Sequence, residues 1–300
     1  MTVSLVTRSI VAALAVGTGV SGASLGAQNT GHSVLARRYR EGDSVHYAMD
    51  ASNQGRTNTL TYSARADGAV RKDSLGRFIE DLEWSHLVRD GRDVPLAAGA
   101  AVVHQRLTLA PDFMMPPDIA HTDPRLVAPV LDLLTFYVDL WLAARMPLAH
   151  AGDHARVPRN TPNSWADGRV ITFAEDAIDF DITLLSVDSA AGHARLQVRH
   201  VPPAATVVHF PASWMQTPLF DTPNNWVEVT KASDTSYVAG AGRETFDVEI
   251  DVRLSDGAIV AATMDNPVDL EERVCRDAAL TTCDAPYRYR IFRRITLRAR

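Results

Sequence analysis

The stretch Thr245-Phe246-Asp247-Val248-Glu249-Ile250-Asp251-Val252-Arg253-Leu254 decides the fold class. Phe246, Val248, Ile250, Val252 and Leu254 fall on one side of an extended chain, and Asp247, Glu249, Asp251 and Arg253 fall on the other. This strict period of two describes a strand with one buried and one wet face, the pattern of an antiparallel sheet. Asp256-Gly257 follows at once, a dipeptide whose glycine supplies the positive φ of a hairpin turn. The chain then returns along 258–264.

The same grammar extends outward. In the last strand, Tyr287 to Arg300, Tyr287, Tyr289, Ile291, Ile295 and Leu297 share a face that Arg293 interrupts, while Arg288, Arg290, Arg294, Arg298 and Arg300 share the other. Such a face resembles a polyanion-binding arm, but Asp247, Glu249, Asp251, Asp269 and Glu271 on nearby strands offer cross-strand charge pairs, and these are the expectation. Asp-Gly also occurs at 67–68, 90–91 and 167–168, each read as a hairpin turn. Further strands are expected at 44–50, 57–66, 77–89, 101–109, 169–175, 178–187, 193–201, 226–231 and 267–275. The proline-rich segments 111–117 and 202–223 read as loops, the second long enough to form a lid or rim.

One segment departs from period two. Residues 130–146 are apolar on almost every side of a helix, with Asp132, Thr135 and Asp139 as a narrow polar stripe. Asp123-Pro124 reads as its N-cap and first residue, Pro129 as a kink or a delayed start, and Pro147 as its stop. A helix this apolar needs a large partner, and the concave face of a curved sheet supplies one. Leu133, Leu134, Tyr137, Leu140 and Trp141 are expected to pack there, with the polar stripe on the wetter side. The fold class is thus mainly β: a curved antiparallel sheet, or sheets, of hairpins and meanders packed on one long apolar helix over 130–146.

The N-terminus carries Arg8, an apolar run from Ile10 to Val20, and small residues at Ser21-Gly22-Ala23 and Gly26-Ala27. That order is a secretory signal peptide over 1–27, with cleavage after Ala23 or Ala27, and its apolar run is far shorter than the ~20 residues of a membrane span. With no cysteine in the first 30 residues, a lipid-anchored N-terminus is not expected. The mature part, 28–300, reads as a single β-rich domain. A division into two β blocks, 39–109 and 156–300, joined by a helical connector over 110–155, remains open. The setting is secreted or periplasmic, without a transmembrane span.

The net charge of −6 argues against a nucleic-acid partner, which would want a basic face. A hydrophobic share of 46% and a charged share of 22% are those of an ordinary globular protein. The two cysteines, Cys275 and Cys283, stand close together, and an exported chain is expected to close them into a disulfide. A metal would want further ligands nearby, and 268–290 holds no histidine.

Candidate chemistry is sparse. Gly22-Ala23-Ser24-Leu25-Gly26 matches the nucleophile-elbow pattern, yet it lies in the cleavage region, without the strand and helix that the elbow needs. Asp118, His121 and Asp123, and separately His150, Asp153 and His154, have the spacing of metal ligands. The expected helix between them spans ~30 Å, so they cannot share a site, and each alone reads as loop chemistry. His46, His86 and His200 read as structural strand residues, and Asp176, Asp179 and Asp181 beside Glu175 as a solvated turn rather than a calcium loop. Trp214, Met215, Phe220 and Trp226, in or beside the long loop, are the candidate rim of an apolar ligand site.

No catalytic residue, metal or cofactor is assigned. The plan resembles periplasmic lipid-handling folds in which a curved sheet cradles helices, without a residue-level signature. The leading reading is a non-catalytic binding module for an apolar ligand or a cell-envelope partner. The alternatives are a secreted hydrolase using loop His and Asp residues, and a structural or interaction protein without a small ligand.

Overall fold

A computed structural model describes residues 33–96, 104–110, 123, 125–159, 164–166, 169–172, 178–201, 212–219 and 224–300. The expected signal segment, Asp118, His121, Asp167-Gly168, Glu175, Asp176 and Phe220 lie outside them. Among the described residues the elements run β1 Ser44–Gln54, β2 Thr59–Lys72, β3 Phe78–Arg89, β4 Arg92–Asp93, β5 His104–Leu107, α1 Val127–Ala144, β6 His154–Arg159, β7 Ser164–Ala166, β8 Arg169–Thr172, β9 Ile178–Asp188, β10 His193–Val201, α2 Ser213–Gln216, β11 Trp226–Ser233, β12 Ser236–Glu244, β13 Phe246–Arg253, β14 Ile259–Cys275 and β15 Tyr287–Ala299. The strands form one sheet of fifteen. It is antiparallel and mainly built of hairpins and meanders, as its alternating sequence implies.

The spine of the sheet is β14. Its first half pairs with β13, up to Asp247 opposite Asp265, and its second half with β12, from Glu244 opposite Val268. Because β12 and β13 are consecutive in sequence, the sheet forks here, one branch running β12-β11-β8-β7 and the other β13-β10-β9-β6. The stretches 258–264 and 267–275, expected as two strands, are one. Pro267 has no N–H to donate, but it falls in the fork, where its carbonyl accepts Thr245 N–H at 3.2 Å. On the other edge of the spine β15 runs its length, and β15 pairs in turn with β1, from Tyr47 opposite Ala299 to Gln54 opposite Phe292. That pairing puts strands of both expected β blocks into one sheet.

Register assigns each strand an inner face. Val248, Ile250, Val252, Leu196, Val198, Met264, Ile295 and Leu297 are all buried there, and α1 lies across it with Leu133, Leu134, Phe136, Tyr137 and Leu140 fully buried. By length and composition α1 is apolar enough to cross a membrane, but 72% of that window is buried inside the fold. Trp141 is partly buried and donates its indole N–H to Ala110 O at 2.8 Å. The outer face carries charge ladders: Arg290 meets Asp269, Arg288 meets Glu271, Arg294 meets Asp265, and Arg195 and Arg199 meet Asp251 and Asp247. Arg288, Arg290 and Arg294 of β15 thus pair across strands, while Asp247 and Asp251 belong to β10's arginines instead.

Several local expectations are corrected. The helix spans 127–144 rather than 130–146, and its N-cap position is Leu126, without a side-chain cap. Asp123 instead turns the chain ahead of the helix, accepting Arg125 N–H at 2.9 Å and pairing with the Arg125 guanidinium. Pro129 sits within the first turn, where its missing N–H would have had no intrahelical partner. The stripe of Asp132, Thr135 and Asp139 is buried, not wet. Thr135 donates to Leu131 O, and the sheet supplies partners for both aspartates. Asp67-Gly68 is no turn but lies inside β2, where a Cβ on residue 68 would stand 2.0 Å from Asp81 O, so glycine lets β3 approach. Asp90-Gly91 does turn, with positive φ at both residues.

One end of the inner face is sealed by the segment ahead of β1. Leu35 is fully buried. Arg38 N–H reaches Asp256 O at 2.7 Å, and the Arg38 guanidinium reaches Leu254 O at 2.6 Å. Arg37, its side chain 4% exposed, pairs with Glu80 on β3 and with Asp256 in the β13–β14 turn. A Cβ on residue 257 would lie 2.4 Å from Ala36 O, so Gly257, at φ +71°, serves both the turn and the passage of this strap.

Candidate functional site

At the other end of the inner face the described residues leave the sheet partly exposed. Since β1 stops at Gln54 opposite Phe292, residues 287–291 of β15 have, among the described residues, a strand neighbour only on the β14 side. Tyr287, Tyr289 and Ile291 point to the inner face, opposite Glu272, Leu270 and Val268. Tyr287 is 45% exposed and Val274 40%, while Tyr289 and Ile291 are half-buried. The two tyrosine rings lie 5.6 Å apart, and the Tyr289 hydroxyl donates to Glu272 at 3.1 Å. From the β1–β2 turn Arg56, exposed, lays its guanidinium 4.2 Å above the Tyr287 ring. No ion-pair partner for Arg56 is found among the described residues.

Between the ends, polar contacts tie α1 to the sheet. Asp132 takes the Arg293 guanidinium of β15 and the Tyr62 hydroxyl of β2, the latter at 2.6 Å. Burial and the neighbouring Asp132 push the Tyr62 hydroxyl well above its ordinary value, so it stays a donor. Tyr137 donates to Glu80, and its oxygen accepts the Tyr47 hydroxyl at 2.9 Å. Burial raises the Glu80 carboxyl, with Arg37 and the Tyr137 hydroxyl pulling back. At the fork Glu244 is buried and likewise raised by desolvation, with Asn266 as its nearest counterweight.

His200 of β10 meets Asp139 through Nε2 at 2.7 Å, between the rings of Phe180 and Phe246. A His–Asp pair can orient a catalytic base. Here both side chains are buried, and among the described residues no hydroxyl or thiol bonds the histidine's other nitrogen. A second grouping lies on the outer face, where His46 and Ser85 both bond Asp67, at 2.8 and 2.6 Å. The carboxylate is in the centre, so the serine lacks a base, and the order is wrong for nucleophilic catalysis.

The loop histidines do not converge either. His150 is 86% exposed at its side chain, and Asp153 accepts the N–H groups of Ala149 and His150 in a turn. His154 faces Asp181 on β9. Asp179 takes Arg156 rather than joining an acidic cluster. Among the described residues no group of three or more His, Cys, Asp or Glu is placed to hold a metal ion.

Beyond the open end, β14 runs into the cysteine loop. The sulfurs of Cys275 and Cys283 stand at disulfide distance, 2.04 Å. Within the loop Asp277 accepts the Thr281 and Thr282 N–H groups, and these bonds lower its pKa to about 2. The candidate rim residues are placed beside it. Met215 is fully buried. Trp214 donates its indole N–H to Leu280 O at 3.0 Å and lies under the Arg273 guanidinium, 4.4 Å away. Arg273 belongs to the face of β14 opposite Val274, so Trp214 ties α2 to the cysteine loop on the outer side. Phe220 lies outside the described residues, and of Trp226 only the backbone is described, opposite Gly242.

No family model matches this sequence, and no curated protein matches it. Among solved structures, a chain solved under the heading "Lipid-protein interactions in lipovitellin" superposes with a TM-score of 0.45 at 9% identity, over 88% of this chain. The present chain spans 25% of that one.

Sequence reasoning noted the inward alternation of Tyr287, Tyr289 and Ile291 without marking it as open. It also treated His200 as an isolated strand histidine. Both features depend on partners far away in sequence: the last residue of β1, and the path of α1.

Proposed function

We propose that the protein is a non-catalytic binding module that takes an apolar ligand, or an apolar part of a cell-envelope partner, at the open end of its inner face. One observation carries this reading. The face that buries Ile295 and Leu297 under α1 continues, past the Arg293–Asp132 pair and without a change of side, into partly exposed Ile291, Tyr289, Tyr287 and Val274. Apolar residues scattered singly on a surface need no explanation, but several gathered on one sheet face mark where ligands and partners dock. An exported setting, periplasmic or secreted, belongs to the same reading, supported by the cysteine pair at bonding distance and by the N-terminal sequence.

The test uses a neutral environment-sensitive fluorescent dye with an apolar body. The wild-type protein should enhance its emission with saturation, and the double variant Val274→Asp, Tyr287→Asp should lose that response while keeping the wild-type circular dichroism. Equal binding by both proteins would place the ligand elsewhere and sink the proposal. Native mass spectrometry of protein purified from its host would then name a retained ligand.

A further inference from the structure

We infer that the ligand at the open end is a single-chain anionic amphiphile with a carboxylate head, held by Arg56. The inference rests on the binding-module reading and adds the head group to it.

Two features of the site support it. The first is position: the partly exposed floor of Tyr287, Tyr289, Ile291 and Val274 lies on the same face as the surface that holds the apolar helix α1, just beyond the Arg293–Asp132 pair. Linear hydrocarbon suits such a strip, because it gains from burial along its length and asks for no hydrogen bonds. The second is charge. Arg56 stands at the exposed margin of that strip with its guanidinium on the Tyr287 ring and no carboxylate in ion-pair range among the described residues. The ring holds the guanidinium plane, so its N–H fork is ordered before anything binds. One planar fork matches one carboxylate in bidentate fashion, and a single cation balances its single charge. Glu272, the acidic group on the same floor, is on the β14 side of Tyr287 and is engaged by the Tyr289 hydroxyl, while Arg56 approaches from the β1–β2 turn. A carboxylate head therefore meets the cation with Tyr287 between it and the acid.

Calorimetric titration of the full chain with dodecanoate and with dodecan-1-ol tests this, since the two share a hydrocarbon tail and differ in the charge of the head. The wild type should bind dodecanoate about tenfold tighter, the worth of one charge-assisted pair. Arg56→Gln should close that gap without changing the affinity for the alcohol, and added salt should narrow it in the wild type. Equal affinity of the wild type for both compounds would overturn the head-group assignment and leave the binding-module reading intact. A gap that survives in Arg56→Gln would likewise overturn it, by placing the cation elsewhere. Binding of neither compound, together with no response to the neutral dye, would overturn both.

Discussion

At one end of the inner face Tyr47 is buried, donates a hydrogen bond to Tyr137, and lies under a strap whose Arg37 reaches across to Glu80. At the other end Tyr287 lies half exposed under Arg56. Both tyrosines sit on the same side of the same sheet, in β1 and β15, which pair with each other. Their strands alternate in the same way, and nothing in that alternation separates them. What separates them is what the described residues lay on top: a strap and a helix at one end, Arg56 at the other. A strand pattern therefore tells which face is apolar, and only the long-range covering tells which part of it is core and which part is available.

Substitutions sharpen this contrast, and the largest effect belongs under α1. Leu140 is fully buried, and Leu140→Asp places an unpaired charge there, so stability to denaturant should fall by several kcal/mol, on the order of 4–5. A variant that melts like the wild type would mean that α1 does not fill the inner face. Next comes the strap. Arg37→Ala leaves the buried Glu80 without its cation and should cost ~3–5 kcal/mol. If the loss is no larger than for an exposed arginine, the closed end is not sealed as described.

The open end should respond more weakly. Replacing both Cys275 and Cys283 by Ser frees a short loop, for which the chain-entropy account gives ~2–3 kcal/mol, seen as a lowered denaturation midpoint in non-reduced protein. Free thiols in exported protein would remove the basis for that value. Tyr287→Ala should change stability by no more than about 0.5–1 kcal/mol, because the ring is already half in water. Its effect should appear in ligand affinity instead. A loss equal to that of Arg37→Ala would erase the distinction between the ends.

The mainly β fold was legible wherever one strand face stayed wet. Phe246 to Leu254 and Tyr287 to Leu297 announce their faces residue by residue, and the apolar helix announces that it is covered. The forked spine was not legible, because Pro267 looks disruptive until both of its neighbours are known. The polar stripe of α1 was misread for a related reason. Asp132 and Asp139 look solvent-facing from the helix alone, and only β15 and β10 show that Arg293 and His200 await them. Of the site, the inward alternation could be read from sequence. The end of β1, the reach of Arg56 and the docking of Trp214 on the cysteine loop could not, since each depends on where distant strands stop.

The strap also sets an order of events in folding. Arg37 and Arg38 emerge early from the ribosome, yet their partners Asp256 and Leu254 lie 219 and 216 residues further along. Contacts so distant in sequence carry a large loop-closure cost and form late. The strap is thus among the last segments to settle, and the closed end stays ajar until the β13–β14 hairpin exists. In a pulse of hydrogen exchange during refolding, the Arg38 amide should gain protection together with residues 253–258 and after the β1–β2 hairpin.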